Sequence, residues 1–137
     1  MNISNPDHPE KMISFLLSQI CQPARIQILL IIGEQEACVC HIEVITGMRQ
    51  ASISQHLMSL RKAGLVTTYR DGRHIFYRLA HPEIIDLLQK TAQITGVSPD
   101  SLRDFSIRPV PGCSCPQCNP EIDPKMTCQI TRTTKLS

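Results

Sequence analysis

No tryptophan occurs in this chain, and aromatic side chains amount to two tyrosines and three phenylalanines in 137 residues. Any core it builds is therefore aliphatic. Long apolar runs are also missing. The longest, residues 28–32, is far short of the roughly 20 residues that span a bilayer, and from the polar N-terminus no secretory signal or lipidation motif is expected. No membrane association is expected, and the cytoplasm is the expected compartment. Six glycines form no phosphate-cradling loop, and no Cys-His-Asp constellation stands out; both absences argue against an enzyme. The length suits one domain with a modest core.

The net charge of +2 is small, but its distribution is uneven. Residues 1–48 hold two basic and five acidic side chains, and residues 79–137 hold six of each. Between them, residues 49–78 hold six basic side chains (Arg49, Arg61, Lys62, Arg70, Arg73, Arg78) against Asp71 alone. A basic window of this kind suits a polyanion.

That window contains the stretch 51–64, where Ile53, Leu57 and Leu60 recur at helical spacing and Gly64 supplies a stop. Its outward face carries Ser52, Ser54, Gln55 and His56, short polar groups able to read base edges in a major groove. A helix over 39–46, with Ile42 and Ile45 inward and Gly47 as C-terminal stop, precedes it by a few residues. The two make a helix-turn-helix. After Gly64 the period changes. Residues 65–69 and 74–79 are β-branched and aromatic, and they flank Arg70-Asp71-Gly72-Arg73, a strong hairpin signal. A basic-tipped hairpin directly after a helix-turn-helix is a wing, with Arg70, Arg73 and His74 at its tip for phosphate or minor-groove contact. The expected fold is mainly α with a small β-hairpin wing, a winged helix-turn-helix that binds double-stranded operator DNA.

Three more helices complete it. The first, over about 10–20, is capped by Asp7 with Glu10 at the reciprocal position; the second, over 24–32, has Pro23 in its first turn and is apolar nearly all round. The last, over 82–93, offers Ile84, Ile85, Leu87, Leu88 and Ile94 as an apolar face. First and last helices together present more apolar surface than so short a domain buries alone, which points to a homodimer. Residues 1–95 form the expected DNA-binding and dimerisation domain. Residues 96–137, rich in proline and polar residues, form an expected flexible tail with little regular structure.

Seven cysteines remain to be explained. In a reducing compartment they serve metal ligation or redox sensing rather than structural bridges, and an odd count fits a disulfide framework poorly. Cys21 reads as a small buried hydrophobe. Cys113-Ser114-Cys115-Pro116-Gln117-Cys118 packs three thiols into six polar residues, and such density rarely serves packing. His41 and His81 are isolated and read as cap or surface positions.

The order helix, helix, short helix, reading helix, wing, helix resembles the ArsR/SmtB family of winged-helix repressors. The resemblance rests on Cys38-Val39-Cys40, on residues 47–57 and 60–66, and on Arg70-Asp71-Gly72-Arg73 with Tyr77-Arg78-Leu79. It covers about residues 10–95 and implies a homodimer that leaves its operator when an ion or oxidant reaches a thiol or histidine site. It implies Gln50, Ser52, Ser54, Gln55 and His56 as DNA-reading positions. Arg49 stands where the family has a serine helix cap; arginine cannot cap through an oxygen, and a phosphate contact takes the cap's place. Cys38 and Cys40 match the site at which relatives take arsenite, antimonite, cadmium or lead.

Residues two apart on a regular helix diverge, but astride its N-terminus they can converge on one ion, where amide dipoles favour thiolate. The third cysteine of many arsenic sensors is replaced here by Glu43, so Cys113, Cys115 and Cys118 of the tail are the expected completing ligands. Three thiolates suit As(III) or Sb(III); four suit Cd(II) or Pb(II). No organic cofactor is expected. The 82–93 helix has no histidine for the family's alternative zinc or nickel site. A thiol-oxidant or persulfide sensor, an iron–sulfur regulator and a cysteine-dependent metal-trafficking protein remain open as alternatives.

Overall fold

A computed structural model of the chain describes residues 7–108, 111–113 and 118. Cys115 and Cys128 lie outside the described residues. The first helix, α1 (Pro9–Ile20), opens on a proline, whose missing N–H leaves nothing to satisfy at that position. Its N-cap is His8, without a side-chain cap bond, and so falls one residue after the expected Asp7. Helix α2 (Pro23–Ile32) begins the same way, and its last five residues, Ile28 to Ile32, are all buried. It is the centre of the core, as an all-round apolar helix must be.

The chain then forms β1 (Glu36–Cys38), α3 (Val39–Thr46), α4 (Gln50–Lys62), β2 (Val66–Asp71), β3 (His74–Leu79) and α5 (Ile84–Thr95). The hairpin closes on paired Asp71 and His74, and β3 is the middle strand of a three-stranded antiparallel sheet ordered β1-β3-β2. Strand β1 is absent from the sequence reading. Three residues are too few to show an alternating period, and the strand exists because Glu36, Ala37 and Cys38 pair with Arg78, Tyr77 and Phe76. No single helix among the described residues is long and apolar enough to cross a membrane.

Two expectations about apolar residues need correction. Cys21 is exposed, its thiol donating to the Ser18 carbonyl at 3.4 Å. Helix α5 buries Ile84, Leu88 and Ala92, one stripe at four-residue spacing. Ile94 falls off that stripe and is 86% exposed.

The segment after Gly96 is also more ordered than its composition suggests. Helix α6 (Asp100–Arg103) and a 3-10 turn, Asp104–Ser106, follow, and Leu102 and Phe105 pack against the main core. Arg108 Nη2 donates to the carbonyls of Ile31 at 2.7 Å and Glu36 at 3.2 Å. Two apolar side chains and one guanidinium thus fasten the start of the tail beside β1.

Candidate nucleic-acid interface and metal centre

The turn between α3 and α4 is held from both sides. Gly47, left-handed at φ 71°, ends α3 with its N–H on the Glu43 carbonyl at 2.9 Å. Thr46 Oγ1 donates to the Ile42 carbonyl at 2.8 Å and accepts from the Met48 N–H at 3.1 Å. Ile53, Leu57 and Leu60 are then wholly buried, which turns Arg49, Gln50, Ser52, Ser54 and Gln55 to solvent. Arg49 is the N-cap of α4, in extended backbone and without a side-chain cap bond.

His56 is different. It is half-buried, and its Nδ1 accepts from Arg25 Nε at 3.2 Å. Burial, and then the Arg25 charge, lower its pKa below the ordinary 6.5. This imidazole joins α4 to α2 as a neutral acceptor.

On the wing, Arg70 and Arg73 are exposed. His74, expected beside them, is only 1% exposed and is corrected to an interior position. It is the first residue of β3, where the pleat turns it to the same face as buried Phe76, 6.1 Å away between rings. Arg78 is engaged by the sheet: its Nη2 meets Glu36 Oε2 at 2.9 Å and its guanidinium lies over the Tyr69 ring at 5.2 Å. The Tyr69 hydroxyl, pushed up to about 12 by burial and then by its hydrogen bond to Glu36, stays a neutral donor to that carboxylate.

The sulfurs gather around Phe76, the residue of β3 with which Cys38 pairs. Cys38 ends β1 and is the N-cap of α3, so Cys40 and His41 fall in the first turn of that helix. Cys38, Phe76 and Cys113 form a small buried cluster, with Cys40, Val44, Ile45 and Cys118 packed against it. Gly112, at φ +87°, brings the tail alongside α3, where an added Cβ would stand 3.7 Å from Val44 Cγ1. Four of the five cysteines named from the sequence as candidate ligands are thus brought together; the fifth is Cys115.

Sequence reading missed His41. It is fully buried, not a surface position. Its Nδ1 lies 3.5 Å from Cys118 Sγ, and the ligand atoms of His41, Cys113 and Cys118 all lie within 4.8 Å of one another. Its Nε2 has no hydrogen-bond partner among the described residues. The available signal was adjacency, since His41 directly follows Cys40. His81, by contrast, is exposed, 3.7 Å from Glu83.

Sulfur cluster and reading surface meet in a cavity of about 220 Å³. Its lining includes Cys38 and Cys40, Gln50 and Ser54 of α4, and Arg73, His74, Ile75 and Tyr77 around the wing.

The pattern of the bacterial regulatory proteins of the arsR family matches residues 22–68, from α2 into β2. The arsenic resistance transcriptional regulator ArsR1 of Pseudomonas putida is 38% identical over 95 residues, covering 64% of this chain and 73% of that protein. Among solved structures, NolR from Sinorhizobium fredii superposes with a TM-score of 0.59 at 31% identity, covering 72% of this chain and all of that one. The transcriptional repressor BigR from Xylella fastidiosa gives 0.60 at 29% identity, over 69% and 96%. With its winged helix-turn-helix and its exposed polar α4 face, this chain belongs to the arsR family of DNA-binding transcriptional repressors and is not an enzyme.

Proposed function

We propose that the chain is a homodimeric, cytoplasmic repressor that leaves its operator when a thiophilic ion binds its cysteines. As(III) or Sb(III) is the first candidate, and Cd(II) or Pb(II) the second. Arg49, Gln50, Ser52, Ser54 and Gln55 of α4 read the major groove, and Arg70 and Arg73 hold phosphates. His56 sets the seat of α4 on α2. Cys38 and Cys40, with Cys113, Cys115 and Cys118 of the tail, supply the sulfurs. Residues 1–95 carry DNA binding and dimerisation, and residues 96–137 carry the completing ligands.

The observation that supports this reading is the shared cavity, whose lining includes Cys38 and Cys40 together with Gln50, Ser54 and Arg73. An ion that draws the first turn of α3 toward the tail changes the wall against which the reading helix and the wing rest. Linkage asks only that the ion bind the unbound repressor better than the operator complex; a 100-fold preference is about 2.7 kcal/mol. A thiol-oxidant sensor on the same fold is the second reading, favoured by the gathering of four cysteines in one cluster.

Fluorescence anisotropy on labelled operator DNA tests both. The intact protein is expected to release DNA with arsenite or cadmium, and the Cys38→Ser, Cys40→Ser double variant to stay bound at the same ion concentration. Release of the double variant by the ion would remove these two thiols from the proposal. Release by peroxide or polysulfide, with none by either ion, would select the oxidant reading.

A further inference from the structure

The geometry points to His41 as the nitrogen donor of a mixed site with Cys113 and Cys118, a site that takes a borderline divalent cation, Zn(II) or Cd(II), in preference to a trivalent metalloid. The inference deepens the ion-responsive reading by adding a ligand that is not a thiol. It rests on that reading only for its effect on DNA.

Spacing is the first ground. Zinc sits about 2.3 Å from sulfur and about 2.0–2.1 Å from imidazole nitrogen, so a tetrahedral site separates a sulfur from a nitrogen by about 3.6 Å and two sulfurs by about 3.8 Å. Cys118 Sγ and His41 Nδ1 are 3.5 Å apart, and no pair in the triad exceeds 4.8 Å. The donors need to contract by no more than about 1.2 Å to reach these separations.

The second ground is the buried ring. An imidazole with no solvent exposure and a ring nitrogen lacking a hydrogen-bond partner among the described residues is a costly thing to place in a core. The nitrogen that faces the sulfurs is Nδ1, so a metal bound there ties the buried ring to the site and fixes its proton on Nε2.

Charge decides between ions. Binding replaces two S–H protons, released to the buffer, by two metal–sulfur bonds, and the imidazole binds neutral. Two thiolates and a divalent cation cancel, which suits cysteines packed in a cluster with Phe76, Val44 and Ile45. A trivalent metalloid on the same three donors would leave one positive charge buried, and imidazole is a poor substitute for the third thiolate it prefers. The position adds a consequence. His41 lies in the first turn of α3 and Cys113 and Cys118 lie in the tail, so one divalent ion pins the tail to the first helix of the helix-turn-helix.

X-ray absorption at the zinc edge, on reduced full-length protein loaded with Zn(II) and no DNA present, tests the donor set without any mutation. The expected spectrum has sulfur scattering plus the outer-shell pattern of an imidazole; a sulfur-only shell overturns the proposal. Chelator competition gives the second measurement. Losing only a supporting partner of a metal ligand weakens binding about 10–100-fold, so His41→Ala is expected to weaken Zn(II) or Cd(II) at least about 100-fold while arsenite affinity holds. An equal loss for both ions, with the circular dichroism spectrum of the variant unchanged, would also overturn it. Zinc binding through His41 without operator release would support the site and refute the regulatory reading instead.

Discussion

Arg25 is the residue through which three helices are tied. It lies on α2, donates through Nη1 to the Gln19 carbonyl at the end of α1 at 3.0 Å, and through Nε to His56 Nδ1 on α4 at 3.2 Å. The second bond needs a lone pair on His56, so protonating the ring breaks it. Because the pKa of His56 is lowered on folding, the unfolded chain binds the proton more readily, and the contribution of this group is present above 6.5. It is lost as pH falls from there toward the folded value. Urea denaturation at about pH 7.5 and about pH 5.5 is expected to show a smaller fall in stability for His56→Gln than for the parent protein. Identical falls would show that this imidazole does not titrate differently in the two states. Nothing in the sequence announces the Arg25–His56 bond, because its partners are 31 positions apart.

Among the elements, α4 carries the sharpest test, at its N-cap. Arg49 has the extended backbone of a capping residue but no side-chain bond to the helix. Serine there would satisfy an amide that arginine cannot, worth about 1 kcal/mol of stability. The same substitution removes a cation proposed for phosphate contact. Arg49→Ser is therefore expected to raise the urea midpoint while lowering operator affinity and reducing the salt-dependence slope by about one. Unchanged operator affinity and an unchanged salt slope would mean that Arg49 touches no phosphate. The bounds of α3 and β3 were legible because periodic apolar positions and terminal glycines agree with the structure there. Strand β1 and helix α6 were not, being three and four residues long and stabilised only by what they pack upon.

At the scale of the whole molecule, the apolar surface of α1 and α5 is the outstanding feature. Met12, Phe15, Leu16, Leu65, Ile84 and Leu87 line a groove of about 420 Å³ between them, and Ile13 and Leu17 stand 58% and 47% exposed nearby. We assign this face to the proposed homodimer. Met12→Glu, at a position 41% exposed and thus tolerant in the single chain, is expected to shift sedimentation from dimer toward monomer and to weaken operator binding. A variant that sediments as the parent does would place the contact elsewhere.

Local pattern was enough to establish the helix-turn-helix, the wing and the candidate cysteines, because each depends on near neighbours: apolar residues three and four apart, Asp-Gly between β-branched runs, thiols two apart. It could not place the tail, whose composition reads as unstructured, although Leu102, Phe105 and Arg108 find partners on the far side of the chain. Nor could it reveal that His74 turns inward, since that follows from the pleat of β3 and the packing beneath it. His41 is the clearest case. Read along the chain it is a lone histidine after a cysteine, and only the folded structure, with Gly112 beside Val44, brings the sulfurs of Cys113 and Cys118 to its ring. Contacts across some 70 positions arise from burial of the whole, and no local spacing encodes them.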